Sequence, residues 1–572
     1  MPGRPVSDDL ISEDVPRSPL PEHPAAPRLR ERFEKEVLDV VTAQGQTTVV
    51  CEKGGITEVL TFLRDEPDLR FDRLSDVTAV DYQDHPGRDP HDSRFDVVYS
   101  LYSHPHNHRL RVRAPVADED PRIASATSVW RGAEWPEREA FDMFGIRFDG
   151  HPDLRRILMP QSFEDFPLRK DYPLRGKGER EAVFGDPDSQ PESEAIREDG
   201  DASASPDWTA LDLGPLHPAT NGTLRLQLQM EDGRVARCVP EIGYMHSGLE
   251  KMGETHSFDQ FVVVADRMNH QSPLCGNIAY CASVEHLIGL DVPERATVVR
   301  LILWELSRIA DHMAWLGTHA GSIGADTVPY YAFEQRERCY NIFELIAGAR
   351  LTTSYARIGG LALDVPENFR EVILDFVAQF PGAVEEVERL LTRNRVWIDR
   401  TKDIGVISGE DAIGWNMTGP MLRGSGVEYD IRKTEPFLNY TEYDFDIPVG
   451  ENGDTYDRYL VRLEELNQSV RIISQAIEDL PGGPVKARGS VDMAGADLNP
   501  PIGDSCLPTE SPNGELGFFV VSNGSDCAHR MRVRSPSFMN LQSLPSVVEG
   551  MMLSDAIAVL GSYNTVGGEL DR

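Results

Sequence analysis

The residues of this chain that could do chemistry gather in one stretch, positions 241–277, EIGYMHSGLEKMGETHSFDQFVVVADRMNHQSPLCGN. It sets His246, Lys251, His256, Asp266, Arg267 and His270 among apolar residues such as Phe261, Val262, Val263 and Val264. Buried charge is costly unless it is paired or used. Any one of these histidines alone would read as a core residue. The whole cluster, with the loop GPLHPATNG (214–222) upstream, reads as a functional pocket. A second group lies on a helix predicted over 294–320. Its Glu305, Arg308, His312 and His319 are spaced three, four and seven residues apart and so share one stripe. The other faces carry Val298, Leu301, Ile302, Leu306, Ile309, Met313 and Leu316. A helix apolar nearly all round is buried, so its polar stripe must be satisfied inside. For Glu305 and Arg308 a structural salt-bridge row is the competing reading.

The elements that must hold these groups follow from pattern. An arm rich in Pro and charge covers 1–27 and is expected to be disordered. Residues 28–176 read as one small α+β domain: helices at 28–44 and 55–65, strands at 78–82, 95–103 and 109–116. Positions 177–207 hold ten acidic and three basic residues amid Ser, Pro and Gly, which marks a self-repelling linker. Beyond it, 208–572 reads as a second α+β domain. Strands at 211–229 and 234–239 precede long helices over about 248–400 and another at 457–479. A Gly-rich segment spans 401–446, and short strands and a helix at 546–560 close the chain.

Composition narrows the function. With 57 Lys+Arg against 94 Asp+Glu, the net charge of −37 argues against nucleic acid or an anionic lipid surface as partner. The seven cysteines form no CxxC, which argues against a disulfide framework and against a zinc or iron–sulfur site built by this chain alone. No signal peptide opens the chain, and the longest apolar stretch, 298–316, is broken by Arg300, Glu305, Arg308 and His312. A peripheral place on a membrane complex remains open to such a protein. No GxGxxG stands at a strand–helix junction, so dinucleotide binding falls to another chain.

Two segments carry a family resemblance. EREAFDMFGIRFDGHPDLRRILMP (137–160), running on to FPLRKDYPL (166–174), resembles the signature of the 30-kDa (C-type) subunit of respiratory complex I. There the resemblance implies a surface that docks neighbouring subunits. From position 208 the chain resembles the 49-kDa (D-type) subunit through ELSRIADHMAWLGTHA, FEQRERCYNIFELIAGAR, GPMLRGSGVEYDIRK, VGENGDTYDRYLVR and the ending GGELDR. The order is that of fused C/D subunits of prokaryotic complex I. The resemblance implies a second domain folded like the large subunit of nickel–iron hydrogenases, with a helical bundle and small β-sheets. It implies a peripheral subunit on the cytoplasmic face of the plasma membrane, partnered by subunits of the B, I and H type. The substrate would be a quinone (menaquinone or ubiquinone), reduced by electrons from an iron–sulfur cluster that a partner subunit holds.

The likeness breaks at the pocket. The hydrogenase metal motifs read Arg267-Met268-Asn269-His270 and Asn564-Thr565-Val566-Gly567 here, without cysteine, so no nickel site is implied. The 49-kDa family usually carries HPxxHG and DRxDY, whose second His and Tyr bind the quinone head, and an Asp further on that pairs with that His. This chain keeps His217 but has Asn221 for the second His, His270 for the Tyr and Ser322 for the Asp. Ser247 stands where many members have an Arg beside the partner's cluster, while His312, also placed near it by the resemblance, is retained. The implied site is therefore His270, Asn221 and His217, with Met268, Ser322, Ser247 and His312 around it, His270 being the main donor. The alternatives are a relative driven by ferredoxin or a deazaflavin, or an assembly scaffold without quinone chemistry. The acidity fits high salt, where screening relieves repulsion among carboxylates, or else ordinary acidity with an arginine-favouring genome. The complex should accordingly hold together better in molar potassium chloride than in dilute buffer, and sedimentation in the two media checks it.

Overall fold

Strands of period-two patterning build the first sheet. They are β1 (Val37–Ala43), β2 (Gln46–Cys51), β3 (Arg73–Asp81), β4 (Phe95–Ser103) and β5 (His108–Val116), in the order β1-β2-β5-β4-β3. The computed structural model describes residues 22–88, 93–178, 209–217, 219–487 and 498–572. Most of the expected arm at 1–27 and of the linker at 177–207 lies outside them. The helix expected at 28–44 is instead a short one, α1 (Ala25–Arg32), followed by β1. The run Val37-Leu38-Asp39-Val40-Val41-Thr42 explains the change, because β-branched side chains favour a pleated strand over a helix. Helix α2 (Ile56–Asp65) buries Ile56, Val59, Leu60 and Leu63 beneath the sheet. Helix α3 (Glu134–Phe144) stops at Gly145 with φ 75°, where a Cβ would sit 2.6 Å from the Phe166 ring.

The C-terminal part is likewise a mixture of helices and small sheets. β6 (Thr209–Leu213), β7 (Arg225–Glu231) and β8 (Arg234–Glu241) form an antiparallel sheet. The single strand expected over 211–229 is interrupted by the loop that carries His217 and Asn221. Gly214 and Gly222 bracket that loop at φ 106° and 141°, conformations a continuous strand cannot take. Next come α4 (Phe258–Ala265), α5 (Pro273–Ile288), α6 (Glu294–Ile323), α7 (Val328–Ala347), α8 (Phe369–Leu391) and, after the short helices of 409–434, α9 (Thr455–Glu478). Ser257 and Gln260 close a reciprocal capping box at the start of α4. Strands β9 (Gly503–Ser511), β10 (Gly514–Ser522) and β11 (Arg530–Arg534) make a third sheet. The helix expected at 546–560 is two helices, the second being α10 (Leu553–Ser562), and α11 (Gly567–Asp571) ends the chain.

The salt-bridge reading of the α6 stripe holds. Glu305 accepts from Ser469 Oγ at 2.6 Å and from Arg432 at 3.2 Å, and Arg308 lies 3.2 Å from it. Glu465 of α9 is gripped by Arg423 at 2.7 Å and Arg423 reaches Glu510 of β9 at 2.8 Å. All of these groups are fully buried. Their charges neutralise one another across segments far apart in sequence.

One hydrophobic core runs through both halves of the chain. At the junction the alternation of Arg530-Met531-Arg532-Val533-Arg534 sends Met531 and Val533 into that core and three arginines towards β3. Arg530 Nε donates to the Ala79 carbonyl at 3.1 Å, and Arg534 Nε to that of Ser75 at 3.3 Å. Arg532 bonds Asp76 at 2.8 Å and Glu139 of α3 at 2.6 Å. Glu139 also meets Arg572 at 2.9 Å. The 137–174 signature, expected to dock other subunits, thus turns Glu139 onto this chain's own C-terminal part, and Lys170 joins Glu254 there at 2.9 Å. Burial pushes the Glu250 carboxyl up, but Arg530, Arg532 and Arg572 outweigh it and hold the group at about 2. Arg532→Ala leaves Asp76, Glu139 and Glu250 with too little positive charge. It should cost about 3–5 kcal/mol, the usual penalty for breaking a buried ion pair, and calorimetry on the purified chain would measure it.

Candidate functional site

The pocket expected from sequence is assembled by three segments that pack together. The 214–222 loop runs beside the segment leading into α11. Asn221 N donates to the Thr565 carbonyl at 3.2 Å and Gly567 N returns a bond to the Asn221 carbonyl at 2.9 Å. No side chain fits between them, since a Cβ on Gly222 would lie 2.7 Å from Gly567 Cα. The 267–270 turn packs on the other side, with the Met268 carbonyl 2.8 Å from where a Gly568 Cβ would stand.

A row of polar side chains leads inward from this junction. Asn221 Nδ2 donates to Asn564 Oδ1 at 3.0 Å. Asn564 Nδ2 donates to Asp311 Oδ1 and to Asn513 Oδ1, both at 2.7 Å. Ser272 Oγ, at the entry to α5, donates to Asp311 Oδ2 at 3.0 Å. Asp311 is wholly buried on α6, and among the described residues no cation forms a salt bridge with it. Burial pushes its carboxyl up; nearby His312, the bonds from Ser272 and Asn564, and Arg462 offset this only in part.

His270 stands exposed at the mouth, and its ring has no hydrogen-bond partner among the described residues. Crowding by protein lowers its pKa, Arg336 acts in the same direction and Asp311 opposes them. His217 is half-buried, with Nδ1 accepting from Ala219 N at 3.1 Å, so Nε2 is left to act outward. Desolvation lowers its pKa as well. Met268 is buried beneath the turn, and Ser247 is exposed, its N–H donating to the Arg572 carbonyl at 3.2 Å. Leu216, Tyr244 and Met245 leave apolar surface exposed around the same mouth.

Two further residues of the expected site, Ser322 and His312, bond within this chain. Ser322 Oγ donates to the His319 carbonyl of its own helix at 2.7 Å, a back-bond that occupies its hydroxyl proton. His312, expected beside a partner's iron–sulfur cluster, is 1% exposed and bonds Glu465 Oε2 through Nε2 at 2.8 Å. Its Nδ1 has no hydrogen-bond partner among the described residues. Asp311 and Glu569 escape a reading of the sequence. The burial that singles out His312 on its helix applies equally to its neighbour Asp311. Glu569, 2% exposed on α11, bonds Ser537 Oγ. Burial is the main cause that pushes its carboxyl up to about 7, with Asp311 adding to the shift.

Comparison with known proteins now gives the class. The family described as respiratory-chain NADH dehydrogenase, 30 Kd subunit, matches residues 49–178, and that of the 49 Kd subunit matches 322–572. The chain is similar throughout to the fused C/D subunit of NADH-quinone oxidoreductase from Bdellovibrio bacteriovorus, 42% identical, covering 95% of this chain and 98% of that protein. The namesake from Methylococcus capsulatus is 37% identical, covering 97% of this chain and all of its own length. The chain belongs to the family of fused C/D subunits of NADH-quinone oxidoreductase. His217, Asn221 and His270 precede the stretch matched to the 49 Kd subunit, whereas Asn564 and Glu569 fall within it.

Glu569 supplies a pH signature. Its folded pKa is raised above the unfolded value near 4.5, so the unfolded chain loses the proton first and stability falls as pH rises from about 4.5 to about 7. Glu569→Gln removes that loss. Its stability advantage over the parent should grow across this window by up to about 3 kcal/mol, read from denaturation curves at pH values on either side.

Proposed function

We propose that this chain builds the quinone-reduction pocket of a proton-translocating NADH-quinone oxidoreductase, at its contact with the partner subunit that carries the terminal iron–sulfur cluster. The observation that carries the reading is the meeting of the 214–222 loop, the 267–270 turn and the 564–567 segment around Asn221 and His270. In a hydrogenase-like domain the last two segments would hold metal. Here they hold amides and an imidazole, which suit a carbonyl substrate. We divide the chain into a 30-kDa-like domain at 28–176 and a 49-kDa-like domain at 208–572, a reading supported by family matches over 49–178 and 322–572.

Reduction takes two electrons from the partner's cluster and two protons. His270, neutral at working pH because its pKa is lowered, donates a ring N–H to one quinone carbonyl. Asn221 addresses the other carbonyl through its amide, which binds and orients but releases no proton. His217 Nε2 is the next imidazole within the same loop, and Met268 closes the floor beneath. Leu216, Tyr244 and Met245 offer apolar rim to a substrate of that polarity. Among the described residues no helix is long and apolar enough to cross a membrane. Attachment at the cytoplasmic face therefore goes through subunits of the B, I and H type, and NADH is oxidised by another subunit. Relatives that carry NADH in their names favour it over ferredoxin or a deazaflavin as donor.

His270→Phe keeps a flat ring and removes both nitrogens. Quinone reduction by the assembled complex should fall by about 10²-fold or more, as for loss of a general acid–base group, while NADH still reduces an artificial acceptor. Parental quinone turnover in this variant would end the assignment.

A further inference from the structure

We propose that Asp311 is a positioning residue whose protonation decides which hydrogen-bonding groups Asn221 turns towards the quinone head. The inference rests on the pocket proposed above. Its basis is the directional logic of the amide row. An ionised carboxylate only accepts. Asp311 Oδ1 takes one N–H of Asn564 and Asn513 Oδ1 takes the other, each at 2.7 Å. Asn564 therefore shows Asn221 its oxygen, and Asn221 Nδ2 donates to it at 3.0 Å. Asn221 keeps one N–H and its own oxygen for the pocket.

Protonated on Oδ1, Asp311 reverses the row while Ser272 Oγ still donates to Oδ2. Its hydroxyl donates to Asn564 Oδ1, Asn564 Nδ2 donates to Asn221 Oδ1, and both N–H groups of Asn221 face the pocket. Asn513 turns with it and offers N–H in place of oxygen. Each reversal is a half-turn of a terminal amide, which exchanges O and N with hardly any change of shape. Quinone carbonyls only accept, whereas quinol hydroxyls also donate. The protonated row thus favours quinone and the ionised row tolerates quinol. The proton on Asp311 comes from and returns to water, and the two protons of quinol formation are separate from it.

The surroundings fit such a switch. Asp311 has two hydrogen bonds and, among the described residues, no salt bridge, so neither charge state is locked. The charged and titratable groups facing it are His312 on α6, Arg462 on α9, Glu569 on α11, Cys275 on α5, Tyr340 on α7 and His270 at the mouth. Arg462 opposes protonation of Asp311 and Glu569 favours it. Ser272, whose hydroxyl bonds Asp311, stands two residues beyond exposed His270 and links the carboxyl to that turn.

The test uses the intact complex in membrane vesicles, with NADH as donor and a short-chain quinone analogue as acceptor. The KM for the analogue, followed over the whole pH range in which the complex stays intact, should rise roughly fivefold through one step, the worth of about one hydrogen bond. Asp311→Asn cannot titrate and should show no step. Ser272→Ala takes one bond from the carboxylate and leaves the amide row whole, so the step should move to higher pH. Co-sedimentation of each variant chain with the other subunits of the complex confirms assembly. A parental step in Asp311→Asn, or an unmoved step in Ser272→Ala, overturns the switch. Should the parent itself reduce no quinone, the pocket assignment falls and the switch with it.

Discussion

Three arginines on one face of β11 hold this molecule in a single piece. Arg530, Arg532 and Arg534 reach across to the backbone and to Asp76 of β3. Arginine suits the place because its planar fork serves a carboxylate and a carbonyl together, which the point charge of lysine cannot. One edge of the same strand pairs with β10, and Met531 and Val533 on its opposite face enter the common core. Asn513 sits at the β9–β10 hairpin, and Asn564 and Glu569 belong to the segment that ends at Arg572, itself tied to Glu139. The candidate pocket is therefore positioned by the same contacts that join the two halves.

The interior is unusually ionic, and it is organised by pairing. Around α6, Glu305, Arg308, Arg423, Arg432, Glu465 and Glu510 satisfy one another, and His312 is absorbed into that set. Replacing such a set by apolar residues often leaves stability unchanged or higher. Its value here lies in register, since each charge accepts a few partners in one geometry. Asp311, like Glu137 and Glu569, is a buried carboxyl without a salt bridge among the described residues. Next to so many matched pairs Asp311 is bonded by one amide and one hydroxyl, groups that bond either form of a carboxyl. The contrast separates a carboxylate built for structure from one free to change state.

Much of this was legible in the sequence. The α+β class, the strands at 95–103 and 109–116, the helix at 457–479 and the buried stripe of α6 followed from periodicity. The family followed from long motifs in order. What periodicity missed was local chemistry overriding it. β-Branched residues turned 37–43 from helix to strand, and two glycines opened 211–229 into the loop that carries Asn221. His217, Asn221, Met268 and His270, singled out by their motifs, lie on segments that do come together in the fold. Ser322 stands where the family's pairing Asp would be, and its hydroxyl bonds its own helix. The carboxylate near Asn221 is Asp311, about three turns earlier on the same helix, and it reaches Asn221 through Asn564. A relay through an intervening side chain 253 residues away leaves no spacing to read.

The contact between Arg532 and Glu139 spans 393 positions of the chain. During synthesis at roughly 5–20 residues per second, Glu139 and Asp76 emerge on the order of a minute before the arginine that will cover them. For that interval the N-terminal sheet carries an acidic, half-built edge and the large central helix bundle hangs between. Its carboxylates are hydrated and mutually repelling, which keeps that edge from sticking to other nascent chains. The charge that unifies the finished molecule thus waits for its partner until synthesis is nearly complete.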